Sequence, residues 1–153
     1  MKFKSEQERN EVLARLTLFT LPILIFTNIV FLVAGYFLSQ SGNFTLSSHA
    51  TLMRNVLLGV AMVEMIAIYV VKRSMLSKLA GLSEYTPEVY LQLRIIAIII
   101  AAMCDAIGVY GLVAVILGNK FDVLVFFVAI SLIAFQLLRL RARDFEVQIN
   151  GGI

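Results

Sequence analysis

Apolar residues gather along this chain in four long runs, at 16–38, 53–71, 95–117 and 121–140, and the segments between them are rich in charge, glycine, serine, asparagine or proline. A bilayer core about 30 Å thick is crossed by roughly 20 residues of helix. Each run meets that length. The pattern therefore predicts an all-α fold, an integral membrane four-helix bundle, and leaves no stretch for a second domain beside the membrane domain of 1–153.

Local signals place the helix ends. Ser5 and Glu8 stand at capping-box spacing, so the first helix is expected to begin before the apolar run and to enter the membrane unbroken, with Pro22 as a place where it can kink. Gly81 is suited to close an extension of the second helix. Thr86, Pro87 and Glu88 read as N-cap, first-turn proline and acidic first turn of the third, which then starts ahead of its apolar stretch. The segment 39–48 is polar and contains the acceptor pattern Asn43-Phe44-Thr45, read as a chance occurrence. The tail after Leu140 carries mixed charge and is expected to extend the last helix by a turn or two before it frays at Gly151 and Gly152.

Composition narrows the setting. Of the 153 residues 60% are hydrophobic and 15% charged, and a mean hydropathy of +0.91 is more than a water-soluble domain can bury. The first sixteen residues mix acids with bases and lead into a run too long for a signal peptide, so the segment is expected to be retained. All of the thirteen Lys and Arg except Arg54 and Lys120 lie before the first span, between the second and third, or after the fourth. By the positive-inside rule both termini are expected in the cytoplasm, N-in and C-in, with a bacterial inner membrane as the natural setting. The same rule accounts for the net charge of +3, so nucleic acid is not among the expected partners. Those are the lipid bilayer and either further copies of this chain or a larger membrane complex.

Two acids change the picture. Glu64 and Asp105 fall near the centres of the second and third spans, where an ionised Asp costs about 2.5–3.5 kcal/mol on the insertion scale. Such a group usually faces the bundle interior or a water path. It can bind and release a proton or cation there, making Asp105 and Glu64 the candidate ion-binding residues. It can equally hold helices together as a buried hydrogen-bonding group.

The other spans carry polar groups at a similar level, Thr27 and Asn28 in the first and Ser131 in the fourth. The wording Glu64-Met-Ile-Ala-Ile-Tyr69 returns as Asp105-Ala-Ile-Gly-Val-Tyr110, which on oppositely directed spans would form a short inverted repeat and adds Tyr69 and Tyr110 to the supporting polar residues. Ala97, Ala101 and Gly108 lie on the Asp105 side of the third helix and permit close helix packing. Cys104, the one cysteine, leaves no pair for a disulfide or Cys metal site and reads as a packing residue. The one histidine, His49, lies in a loop. With no nucleophile elbow, phosphate loop or His cluster, the sequence predicts no enzyme activity, no metal and no cofactor.

The stretch Ala-Ala-Met-Cys-Asp-Ala-Ile-Gly-Val-Tyr-Gly-Leu-Val-Ala-Val-Ile-Leu from Ala101 to Leu117 resembles the carboxylate helix of the rotary ATPase proteolipids, the ring-forming c subunits of F-type and V-type enzymes. The resemblance covers one helix. It implies that Asp105, at the position of the family's Asp or Glu, binds and releases the transported proton or sodium ion. Chain length and four spans also look like the V-type proteolipid. The family's glycine-repeat helix has no counterpart in the first span, where Gly35 is the lone glycine, and the acids fall in spans two and three rather than two and four. Two functions are therefore carried forward: a proteolipid-like subunit that handles an ion, and an accessory or scaffold subunit without chemistry of its own.

Overall fold

A computed structural model describes residues 6–41, 49–80, 86–141 and 144. Four helices follow one another, α1 (Glu6–Gln40), α2 (Ala50–Ala80), α3 (Pro87–Ile116) and α4 (Phe121–Leu138). All four are long and apolar enough to cross a membrane. The chain is an all-α membrane bundle, as the four runs predicted. Ser5, Gly81, the acceptor pattern at 43–45 and the two terminal glycines lie outside the described residues.

Helix lengths differ in a way that matters for the termini. The 35 residues of α1 rise about 52 Å, whereas the 18 of α4 rise about 27 Å. So α1 runs well past a 30 Å hydrocarbon core, and α4 barely fills it. The helix α1 passes through Pro22 without interruption. Proline supplies no N–H to the carbonyl one turn earlier, a loss borne here on an exposed face.

The ends of α3 are set by side chain and backbone chemistry. Thr86, extended at φ −119° and ψ 163°, accepts the Val89 N–H on its hydroxyl at 3.4 Å, with Pro87 and Glu88 in the first turn as the sequence predicted. At the other end Gly118 N bonds Val115 O at 2.9 Å and Asn119 N bonds Ala114 O at 3.0 Å, the paired bonds of a Schellman motif. Gly118 takes the positive φ of 94° that this turn demands. The Asn119 side chain donates to both Ala114 O and Ala50 O, each at 3.1 Å, and so ties the α3–α4 turn to the start of α2.

The helices run alternately up and down, with α3 central, packed against α4, α1 and α2, while α2 rests chiefly on α3. One end of the bundle holds the start of α1, the end of α2, the start of α3 and the end of α4. There the Arg94 guanidinium sits 4.3 Å from the Phe19 ring centre. At the other end Tyr36 of α1 meets Phe121 of α4 edge to face at 6.0 Å.

The tail does not extend α4 as expected. The helix stops at Leu138 and Arg139 turns extended, at φ −53° and ψ 158°. Its carbonyl accepts from Lys72 Nζ at 3.1 Å. Lys72 also pairs with Asp144 at 2.7 Å, and Asp144 accepts the Arg141 N–H at 2.7 Å. The Arg141 guanidinium covers the free carbonyl of Gln136. A buried lysine from α2 thus outcompetes helix continuation by taking both a carbonyl and a carboxylate from the tail. Asp144→Asn should therefore leave α4 intact but free the segment after it. Hydrogen exchange should accelerate at least tenfold at the Arg141 amide and not at all in the middle of α4. Unchanged exchange at Arg141 would mean that the ion pair does not hold the tail.

Candidate functional site

Along α1 most side chains face outward, and one stripe at helical spacing faces in: Leu16, Thr20, Leu24 and Asn28 are all buried. Thr20 satisfies its hydroxyl locally, donating to Leu16 O at 2.9 Å. Asn28 reaches outward from the helix instead. Its Nδ2 donates to Leu24 O at 2.8 Å and to Asp105 Oδ1 at 3.0 Å, and Ser131 Oγ lies within range of the same two protons at 3.5 Å. One amide therefore links α1, α3 and α4. Asn28 is 2% exposed and Ser131 0%, which puts their bonds in a dry interior where a missing partner is expensive.

Thr27, beside Asn28 on α1, directs its hydroxyl to its own helix. The same hydroxyl lies 2.8 Å from Ile23 O and 3.1 Å from Leu24 O. No Lys or Arg falls within the central parts of the spans, so an ionised Asp105 would have no cationic side chain at its depth.

Gly108 makes this approach possible. A Cβ there would lie 2.8 Å from Asn28 Oδ1 and 3.1 Å from the Phe31 ring. Asn28 Oδ1 itself is buried without a hydrogen-bond partner. Ala97 and Ala101 are buried in the core of α3, on the turns leading toward Asp105.

Glu64 belongs to a different seam. It lies on α2 facing α3, near Tyr110, and its Oε2 is buried with no hydrogen-bond partner. Cys104, fully buried, stands next to Asp105 on α3 and near Glu64. Asp105 thus turns from α3 to α1, while Glu64 approaches α3 from α2. Tyr69, the counterpart of Tyr110 in the repeated wording, is 54% exposed on the outside of α2. The two copies of the wording are not used alike: Tyr110 lies near Glu64, and α1 meets Asp105 through Asn28. Among the described residues no three His, Cys, Asp or Glu side chains come together as a metal site would require.

Sequence reasoning did not single out Gly111 or Lys72. A Cβ on Gly111 would sit 2.7 Å from Phe127 Cβ and 3.1 Å from Leu124 Cα, so it marks a close approach of α3 and α4. Its spacing of three from Gly108 was the available signal. Lys72, directly after an apolar run with an acid in the tail, offered a weaker one. Comparison of the chain with protein families, with curated proteins and with solved structures finds no match.

Proposed function

We propose that this four-span membrane protein is a proteolipid-like subunit in which Asp105 binds and releases a proton or sodium ion. The observation that carries the reading is the buried Asn28 amide of α1, which donates to the Asp105 carboxyl of α3 and reaches Ser131 of α4 within the span. The likeness of α3 to the carboxylate helix of rotary ATPase proteolipids points the same way. Glu64, near Tyr110, is a second acid of the same kind. The Lys and Arg distribution favours a cytoplasmic location for both termini. Further copies of the chain or a larger membrane complex are the proposed partners.

A scaffold reading has its own support, because the shared Asn28 amide would also pin α1, α3 and α4 in register. Dicyclohexylcarbodiimide separates the two, since it modifies protonated carboxyls in apolar surroundings. Asp105 is half-buried, within reach of a reagent delivered through lipid. The expected result is labelling of Asp105 that falls at least tenfold as pH rises or sodium is added. An intact bundle with Asp105 and Glu64 unlabelled at every pH would leave the scaffold reading standing.

A further inference from the structure

The early end of α4 puts a cation where a longer helix would not. Because α4 stops at Leu138 and Arg139 turns extended, Arg139 and Leu140 both line a groove between α1, α3 and α4, together with Thr17, Thr20, Ala97 and Phe135. Leu140 is buried and Arg139 half-buried. The groove is shallow, with enclosed room for about one water, so an occupant lies along it rather than inside it.

The polar groups of the groove are not equally satisfied. Thr20 donates to Leu16 O at 2.9 Å. Among the described residues the Thr17 hydroxyl makes no such bond, and the Arg139 guanidinium has neither a hydrogen-bond nor an ion-pair partner. The acid of the tail, Asp144, is already taken by Lys72 at 2.7 Å and by the Arg141 N–H at 2.7 Å. No Asp or Glu lines the groove. A guanidinium and a hydroxyl thus stand open on a surface otherwise made of Leu16, Ala97, Ile100, Phe135 and Leu140. A cation desolvated in this way carries a cost that an anion beside it offsets.

Depth follows from sequence position. Leu16 and Thr17 open the first apolar run, and Arg139 stands at the close of the fourth. Arg94 directly precedes the third run and holds its charge at the same level, over the Phe19 ring. That is the level at which hydrocarbon gives way to lipid headgroups.

We infer that this groove binds one anionic phospholipid, whose phosphate accepts from the Arg139 guanidinium and the Thr17 hydroxyl while an acyl chain lies against Leu16, Ala97, Ile100 and Phe135. Charge and depth both match: basic clefts between spans at this level suit anionic headgroups, and an arginine fork can bond two phosphate oxygens at once. A free phosphate would meet the same two donors but leave the apolar lining uncovered. Lys72 holds the Arg139 carbonyl at 3.1 Å as well as Asp144, and so fixes the backbone that presents the guanidinium. The site is independent of any ion exchange at Asp105.

Native mass spectrometry of the full chain in detergent tests this, with phosphatidylglycerol and phosphatidylcholine of identical acyl chains as probes. Phosphatidylglycerol should bind about tenfold more tightly, as a charge-assisted contact requires. Arg139→Gln should abolish that preference, and Arg15→Gln, which removes an exposed charge outside the groove, should preserve it. If Arg139→Gln does not assemble, Arg139→Lys keeps the charge but loses the fork and should weaken phosphatidylglycerol binding about threefold. Asp144→Asn separates a built site from diffuse attraction, because the two predict opposite signs. Loss of a negative charge strengthens diffuse attraction, whereas loss of the clamp that places Arg139 should weaken binding at the groove. A photoactivatable phosphatidylglycerol should attach within 16–20 and 135–140 and not to α2. Equal affinity for the two lipids, equal losses in Arg15→Gln and Arg139→Gln, tighter binding by Asp144→Asn, or attachment mainly to α2 would each overturn the proposal. Release of phosphatidylglycerol by inorganic phosphate would overturn it too, by showing a simple anion site in place of a lipid site.

Discussion

Replacing Gly111 by alanine should destabilise the bundle by about 2 kcal/mol, within the usual range for overpacking a core, whereas the same change at Gly59 should leave it unaffected or slightly more stable. The two glycines sit in similar helical backbone, so the comparison isolates packing. A Cβ on Gly111 meets Phe127 Cβ at 2.7 Å, Leu124 Cδ1 at 2.9 Å and Leu124 Cα at 3.1 Å. Two of those atoms are at or next to the α4 backbone and cannot swing aside by a rotamer change. Phe127 and Leu124 are fully buried, so α3 and α4 have to move apart, and with them the polar site that both helices help to build. A Cβ on Gly59 meets nothing within 4 Å, and alanine there gains up to about 1 kcal/mol of helix propensity. Unfolding in mixed micelles, followed by loss of helicity as the fraction of sodium dodecyl sulfate rises, measures both. Equal stability of Gly111→Ala and the parent protein would mean that the α3–α4 seam is looser than these contacts indicate.

Part of this architecture was legible before any coordinates, and the reason is physical. Length and apolarity decide whether a helix spans, and both are local properties. The four runs and the Thr86 cap were therefore readable one by one. Depth was readable too, which is how Asn28, Asp105 and Ser131 could be assigned to a common level. Rotation was not. In a soluble helix the polar face reveals which side is buried, but a helix with lipid for solvent is apolar all round and carries little such signal. Hence the sequence could not say that Asn28 rather than a residue of α2 meets Asp105, or that Tyr110 turns to Glu64 while Tyr69 faces outward. The stop of α4 at Leu138 was hidden for another reason. It depends on Lys72, sixty-seven residues from Arg139 in sequence, and no pattern within the tail itself encodes it.

The Asn28–Asp105 contact lends itself to a double-mutant cycle, and its expected outcome also bears on which role Asp105 plays. Asn28→Leu keeps the shape of the side chain but removes the donor, leaving the Asp105 oxygen at 3.0 Å and the Ser131 hydroxyl without it. The expected cost is about 1–2 kcal/mol, the upper range for hydrogen bonds between membrane helices. Asp105→Leu should cost a similar amount, because the Asn28 amide then keeps Leu24 O and loses its partner across the helix seam. The double variant should recover much of the loss, since removing both partners of a buried bond leaves no stranded polar group. A positive coupling of about 1 kcal/mol is the predicted result, and simple additivity of the two losses would mean that the contact contributes nothing. Asp105→Asn completes the argument. It keeps an acceptor for Asn28, so a purely structural site should tolerate it with stability and function intact. An ion-handling site should tolerate it in stability alone and lose ion transport, because an amide cannot release a proton or neutralise a cation.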